Sequence, residues 1–151
     1  MHQTILILVD TPDRDDAAST AMLVLEDLVF KGIFDYGNPI EQPATDDEAR
    51  KLIDEAYKAQ RGRFEHNMNA LRNILGRFNN DELYNDVIDR DPAEGDTARH
   101  LFRPYARWVG ESEGGDILLY DENGCGIWNQ EELDNKLAAE NLWVVPMDVH
   151  I

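Results

Sequence analysis

Two stretches decide how this chain folds: QTILILV, residues Gln3–Val9, and LWVVPMDVHI, residues Leu142–Ile151. The first is a short apolar run closed by Asp10, which reads as a buried strand. Side chains alternate along a strand, so Ile5, Ile7 and Val9 share one face. His2, Thr4, Leu6, Leu8 and Asp10 take the other. In the second stretch Trp143, Val145, Met147 and Val149 share a face, with Asp148 and His150 opposite.

Between them the chain alternates. Thr11 and Pro12 read as the N-cap and first position of a helix. Asp13, Asp15 and Asp16 then fall in its first turn, where the helix dipole favours carboxylates. Ala18, Ala21, Met22, Leu25, Leu28 and Val29 recur at helical spacing, so Asp13–Phe30 reads as amphipathic, stopped by Gly32. Ile33–Ile40 reads as a short edge strand broken by Gly37 and Pro39. Thr45 and Glu48 have the spacing of a capping box that opens a long helix. Its expected inner line is Ile53, Tyr57, Gln60, Phe64, Met68, Leu71, Leu75 and Phe78.

A short helix is expected over Asp81–Ile88, a loop over DRDPAEGD (89–96) and a helix over Thr97–Val109, which contains Pro104. A turn over GESEGGD (110–116) leads to a strand, Ile117–Tyr120, and then a helix, Glu131–Glu140. The class is therefore α+β. One domain, 1–151, is expected, with a sheet of about four strands and a large helical insertion over approximately 45–110. Without the insertion the order is close to βαββαβ, the ferredoxin-like arrangement, whose first and last strands are antiparallel neighbours.

Charge bounds the function. Fourteen Lys and Arg stand against 31 Asp and Glu, a net charge of −17. Such a field repels nucleic acid and anionic membranes and attracts basic proteins and cations. No apolar run approaches the ~20 residues of a membrane span. The first residues lack the basic region of a signal peptide, and a cytoplasmic location is expected. Cys125 is the single cysteine, which excludes an internal disulfide framework and a cysteine-based zinc site.

Local motifs are few. DENGCGIWNQEE places Asp121, Asn123, Gly126 and Glu132 on the calcium-loop spacing, but Cys125 stands where an oxygen ligand belongs. Asn123-Gly124 between LLYDE and CGIW is also the signature of a type I′ hairpin turn, and that reading is preferred. Asn129 would then cap the next helix, with Glu132 three residues on. Arg99, Arg103 and Arg107 lie at i, i+4 and i+8, interleaved with Phe102, Tyr105 and Trp108. Such a stripe either clamps a phosphate or pairs with the acidic body. Pairing of the first and last strands would bring His2, Asp148 and His150 to one sheet edge. That set could hold Zn²⁺ or Fe²⁺, although frayed, solvated chain ends are the preferred reading.

There is no serine elbow, P-loop or HExxH motif, and no cofactor is implied. The expected function is that of a non-catalytic interaction protein that binds a basic protein surface. It would imitate nucleic acid, as phage-type inhibitors of host defence do. Its contact residues would be Asp13, Asp15, Asp16 and Asp27 on the first helix, with Asp46, Asp47 and Asp54 on the second. Two alternatives stand beside it: a phosphate-binding regulatory domain that uses the arginine stripe, and an acidic structural or housekeeping protein of a halophile or its virus. The scarcity of lysine, 4 against 10 arginines, suits the latter.

Overall fold

The computed structural model describes residues 1–87, 97–110 and 117–151, with side chains described except at 108–110. The expected loop over 89–96 and most of the turn over 110–116 lie outside the described residues, as do Ile88 and the side chains of Trp108 and Val109. In chain order the elements are β1 (His2–Asp10), α1 (Arg14–Phe30), β2 (Tyr36–Pro39), α2 (Asp47–Arg77) and α3 (Asn80–Tyr84). They continue with α4 (Ala98–Gly110), β3 (Leu119–Asp121), α5 (Gln130–Leu137) and β4 (Leu142–His150). The chain is α+β, a four-stranded mixed sheet with a helical block between its second and third strands. It divides into two compact units, Met1–Gln60 with Glu113–Ile151, and Arg61–Ser112.

The first unit contains the sheet, in the order β2-β4-β1-β3. β1 pairs antiparallel with β4 along its whole length, from His2 opposite His150 to Asp10 opposite Leu142. On its other side β1 runs parallel to β3, and β2 lies antiparallel against the outer edge of β4. The antiparallel pairing of first and last strands is thus present, and β2 sits beside β4 and not beside β3. Pro146 interrupts nothing in the β1–β4 ladder. In an antiparallel strand the N–H and C=O of one residue point to the same side. The Pro146 carbonyl accepts from Ile40 N–H at 3.0 Å, so its donorless nitrogen also faces the β2 side.

Both faces of the sheet are covered. Ile5, Ile7, Val9, Val145, Met147 and Val149 pack with Ala17, Ala21, Val24, Leu25 and Leu28 of α1. Leu6, Leu8, Leu119, Leu142 and Val144 pack on the opposite face with Ala49 and Ile53 of α2 and Leu133 of α5. Each fully buried Leu, Ile or Val is worth roughly 1.5–3 kcal/mol, so two-sided burial of β1 contributes more per residue than any peripheral element. Gly37 lets β2 slide beneath α1. A Cβ there would lie 2.9 Å from Leu25 Cδ1 and 3.0 Å from the Asp148 carbonyl oxygen.

Several helix boundaries differ from the sequence reading, each for a physical reason. Thr11 does not cap α1, because its N–H bonds to Asn141 O and its carbonyl accepts from Trp143 Nε1, keeping it in the sheet margin. Asp13 is the cap and accepts from the Asp15 and Asp16 N–H groups. Ala44 is still paired with Val144, so α2 opens later than Thr45, and Asp46 accepts from Ala49 N–H at 2.9 Å. Ala17 and Val24 are buried in α1 where Ala18 was expected.

The expected inner line of α2 is also only partly right. Phe64 and Leu75 are 45% and 47% exposed, and the buried positions include Ile53, Gln60, Asn67, Ile74 and Phe78. In the second unit Ile74, Phe78 and Ala98 form a small core with Leu83, Leu101, Phe102 and Tyr105 packed against it. α3 begins at Asn80 under an Asn79–Glu82 capping box and ends at Tyr84. Pro104 lies inside α4.

Among the described residues of the first unit, Gln60 is the polar exception. It is 4% exposed, its Nε2 donates to Ile127 O at 2.7 Å, and its Oε1 accepts from Leu118 N–H at 2.8 Å. The side chain supplies partners to two backbone groups beside the start of β3, as buried peptide groups require. Gln60→Leu keeps the size and strands both groups, so urea unfolding should show a loss of roughly 2–4 kcal/mol. A loss within experimental error would show that those groups find other partners.

Candidate functional site

The topology gathers carboxylates at one end of the sheet unit. β1 ends there at Asp10, β3 ends beside it because Leu8 pairs with Asp121, and β4 starts opposite at Leu142. α1 begins immediately after β1. The start of α2 is brought to the same end by the Ala44–Val144 bridge. Pro12, Thr45, Arg50, Glu140, Asn141 and Trp143 line one pocket of about 230 Å³ between these starts. Asp13, Asp15, Asp16, Asp46 and Asp47, all exposed, therefore lie at the same end of the sheet as Asp10, Asp121, Glu122 and Glu140, with the starts of α1 and α2 on its two faces.

The seven acids expected to meet a partner divide. Asp15, Asp16 and Asp47 have exposed carboxylates in first turns, where the helix dipoles stabilise them. Asp13 and Asp46 occupy the same end while capping their helices. Asp27 and Asp54 are farther along and are each held by a lysine four residues on, Lys31 and Lys58, at 2.6 Å. Those hydrogen bonds raise both lysines above their ordinary values.

A second pocket of about 390 Å³ opens beside β3, lined by Asp121, Cys125, Ile127, Glu132, Asn135 and Lys136. Lys136 is the only Lys or Arg from residue 113 onward, and it pairs with Glu122. Burial pushes its ammonium below the ordinary lysine value, while the charges of Asp121 and Asp10 oppose that. Sequence reasoning overlooked this residue. The signal available was that Asp10 and Asp121 each close a strand, leaving one cation to face both.

The calcium-loop residues are committed to backbone. Asp121 Oδ1 accepts from the N–H groups of Asn123 and Cys125 at 2.9 and 2.8 Å. Glu132 accepts from Trp128 and Asn129 N–H and completes the capping box of α5 with Asn129. The turn itself is not type I′. That type needs positive φ at both central residues, whereas only Gly124, at φ 74°, has it in this loop. Gly124 N–H bonds to Asp121 O and Asp121 N–H to Cys125 O, giving a three-residue hairpin loop with left-handed glycine.

The arginines serve the second unit. Asp86, at φ 53°, accepts from Arg99 N–H at 2.8 Å, and its carboxylate lies 3.9 Å from Arg99 Nε. A hydrogen bond from Thr97, the Arg99 amide and the charges of Arg99 and Arg103 hold its carboxyl below the ordinary value. Arg103 and Arg107 are exposed on the same helix.

His2, Asp148 and His150 do meet at the far end of the sheet, ordered by the strand ladder. His2 Nδ1 lies 2.9 Å from Asp148 Oδ2, and His150 Nδ1 lies 3.1 Å from Asp35 Oδ2. Tyr36 stacks on His150, its ring centroid 4.9 Å away. Among the described residues no group of three or more His, Cys, Asp or Glu side chains is arranged to hold a metal.

Residues 31–151 match the family model described as a domain of unknown function, DUF7995. The chain belongs to that family. The matched segment begins just after α1 and runs through β4. No curated protein and no solved structure matches the chain. No helix among the described residues is long and apolar enough to cross a membrane.

Two measurements check these assignments. Millimolar Ca²⁺ should leave the melting temperature unchanged at physiological ionic strength, and a saturable rise removed by Glu132→Gln would restore the calcium reading. Asp86→Asn keeps a residue that tolerates positive φ and removes the charge. The Asp86 carboxyl titrates lower in the folded than in the unfolded chain. Its stabilisation is therefore complete above the ordinary value of 3.8 and is lost as pH falls through the folded-state value. Hydrogen-exchange protection of Ala98–Arg107 should thus fall in the variant at neutral pH, and the difference should close on acidification.

Proposed function

We propose that this chain is a non-catalytic interaction protein whose acidic sheet unit binds a basic protein surface, imitating the charge of nucleic acid. One observation carries the reading. The sheet unit holds 22 acidic against 6 basic residues, whereas the helical unit of residues 61–112 holds 9 against 8. Adaptation to salt, or charge kept for solubility alone, would coat both units. Segregation on this scale suits a field aimed at a partner.

The acidic end offers short carboxylate side chains on helix starts, so little side-chain freedom is lost when a lysine or arginine meets them. Phosphates in a duplex present the same kind of fixed array. Asp15, Asp16 and Asp47 are the contact residues, with Asp13 and Asp46 adding charge from their capping positions. The partner is a nucleic-acid-binding protein, as for a phage-type inhibitor of host defence. The setting is cytoplasmic, where reducing conditions keep the exposed thiol of Cys125 free. The arginine stripe is the weaker basis for a phosphate site, because Asp86 already neutralises part of it.

The test is a titration with a basic DNA-binding domain in competition with its own duplex. The protein should displace the DNA, and binding should weaken steeply as salt rises. Replacing Asp15, Asp16 and Asp47 together with Asn removes some dipole stabilisation, about 0.3–1 kcal/mol per site, and leaves the fold intact. It should flatten the salt dependence by roughly one unit of slope for each carboxylate neutralised. A variant that competes unchanged at every salt concentration would sink the proposal. Unfolding of the wild type in dilute buffer would favour the halophile instead.

A further inference from the structure

α1 is apolar on more than its buried side. Its inner line, Ala17, Ala21, Val24, Leu25 and Leu28, is sealed against the sheet. On the outer side Leu23 is 66% exposed and Phe30 is 91% exposed. Seven residues separate them, two turns or about 10 Å along the axis, so both stand on one line. A large aromatic almost wholly in water contributes nothing to folding. Buried against a partner, it is the kind of anchor that dominates an interface.

The surroundings of this line are acidic. Asp15, Asp16 and Glu26 are exposed on the same helix, and Asp27 is half-exposed beside them. The cations of the segment are Arg14 at its start and Lys31 just beyond its end, the latter held by Asp27. A second copy docked by the same face would set these carboxylates against their equivalents, which costs free energy at an interface. A partner with its own apolar line, flanked by lysine or arginine, meets both requirements.

We infer that the outer face of α1 is the docking surface for a basic amphipathic helix, with Leu23 and Phe30 as its apolar anchors and Asp16 and Glu26 pairing with its flanking cations. This rests on the acidic-interaction reading and extends it. The acidic end supplies long-range attraction that salt removes, and the α1 line supplies affinity that salt leaves in place. Recognition is then of a helix with apolar positions one heptad apart, and not of positive charge alone.

The experiment uses the full chain and two synthetic peptides of equal net charge. One is a helix-forming leucine–lysine peptide with leucines on one face, and the other has glycine in place of each leucine. Fluorescence anisotropy at low and high salt should show one-to-one binding of the amphipathic peptide. Its preference over the glycine peptide should be at least about tenfold and should persist as salt rises, while both peptides bind more weakly. Leu23→Ser with Phe30→Ser should abolish the preference without lowering the melting temperature, since both side chains are exposed. Tyr84→Ser, at a residue 82% exposed elsewhere, should preserve it. Equal binding of the two peptides by the wild type would overturn the docking face and leave the acidic reading standing. Binding of neither would overturn both. Self-association abolished by Leu23→Ser with Phe30→Ser would make a second copy the occupant and overturn the inference.

Discussion

The rest of the structure depends on the β1–β4 ladder. Ile5, Leu6, Ile7, Leu8 and Val9 are each at most 3% exposed, so β1 demands cover on both faces. β4 meets it residue for residue and fixes the register. Once it is fixed, α1 must lie on the face of Ile5 and Ile7, and α2 with α5 on that of Leu6 and Leu8. A slip of one residue would exchange the two faces of every strand position and mismatch both helix layers at once. The same register carries charge: because β1 and β3 are parallel and β4 is antiparallel, strand ends and helix starts bearing Asp10, Asp13, Asp46 and Asp121 fall together.

What was legible in the sequence was what has a short period. Alternation in QTILILV and LWVVPMDVHI gave the strands, their faces and the meeting of His2, Asp148 and His150, because the strand repeat of two leaves no phase to guess. The Asn129–Glu132 cap was legible for the same reason, as its two bonds span four residues. The phase of α1 was not. Apolar residues surround that helix, so periodicity could not choose between Ala17 with Val24 and Ala18, and the choice was made by the sheet. In α2 the buried positions run through polar Gln60 and Asn67, whereas the more hydrophobic Phe64 and Leu75 stay outside. Gln60 is inside because backbone groups at the start of β3 need its amide, a requirement set by residues 58 and 67 positions away.

Side chains that bond to backbone account for the remaining differences. Asp121 accepts two loop N–H groups and draws DENGC into a three-residue loop, overriding the two-residue turn that Asn123-Gly124 favours. Asp13 and Asp46 take over capping from Thr11, which is bonded to the sheet margin, and from Thr45, which follows the Ala44–Val144 bridge. Asp86 anchors the start of α4. Four carboxylates that composition counts merely as charge are thus parts of the fold. The acids free to meet a partner are correspondingly fewer than the total of 31 suggests.

That division bears on how an acidic surface can be specific. Exposed carboxylates attract any cation, and salt screens them within roughly 8–10 Å. Specificity has to come from groups that salt does not reach, and apolar contact is the plainest of these. The sheet unit sets Asp13, Asp15 and Asp16 at the start of α1 and its most exposed aromatic, Phe30, at the opposite end, with Glu26 and Asp27 near it. A basic helix laid along α1 would therefore be drawn in by charge along the whole helix and gripped by apolar contact at Leu23 and Phe30. Cations alone would suit many acidic surfaces and an apolar line many grooves, so charge and apolar contact together select a partner that neither selects alone.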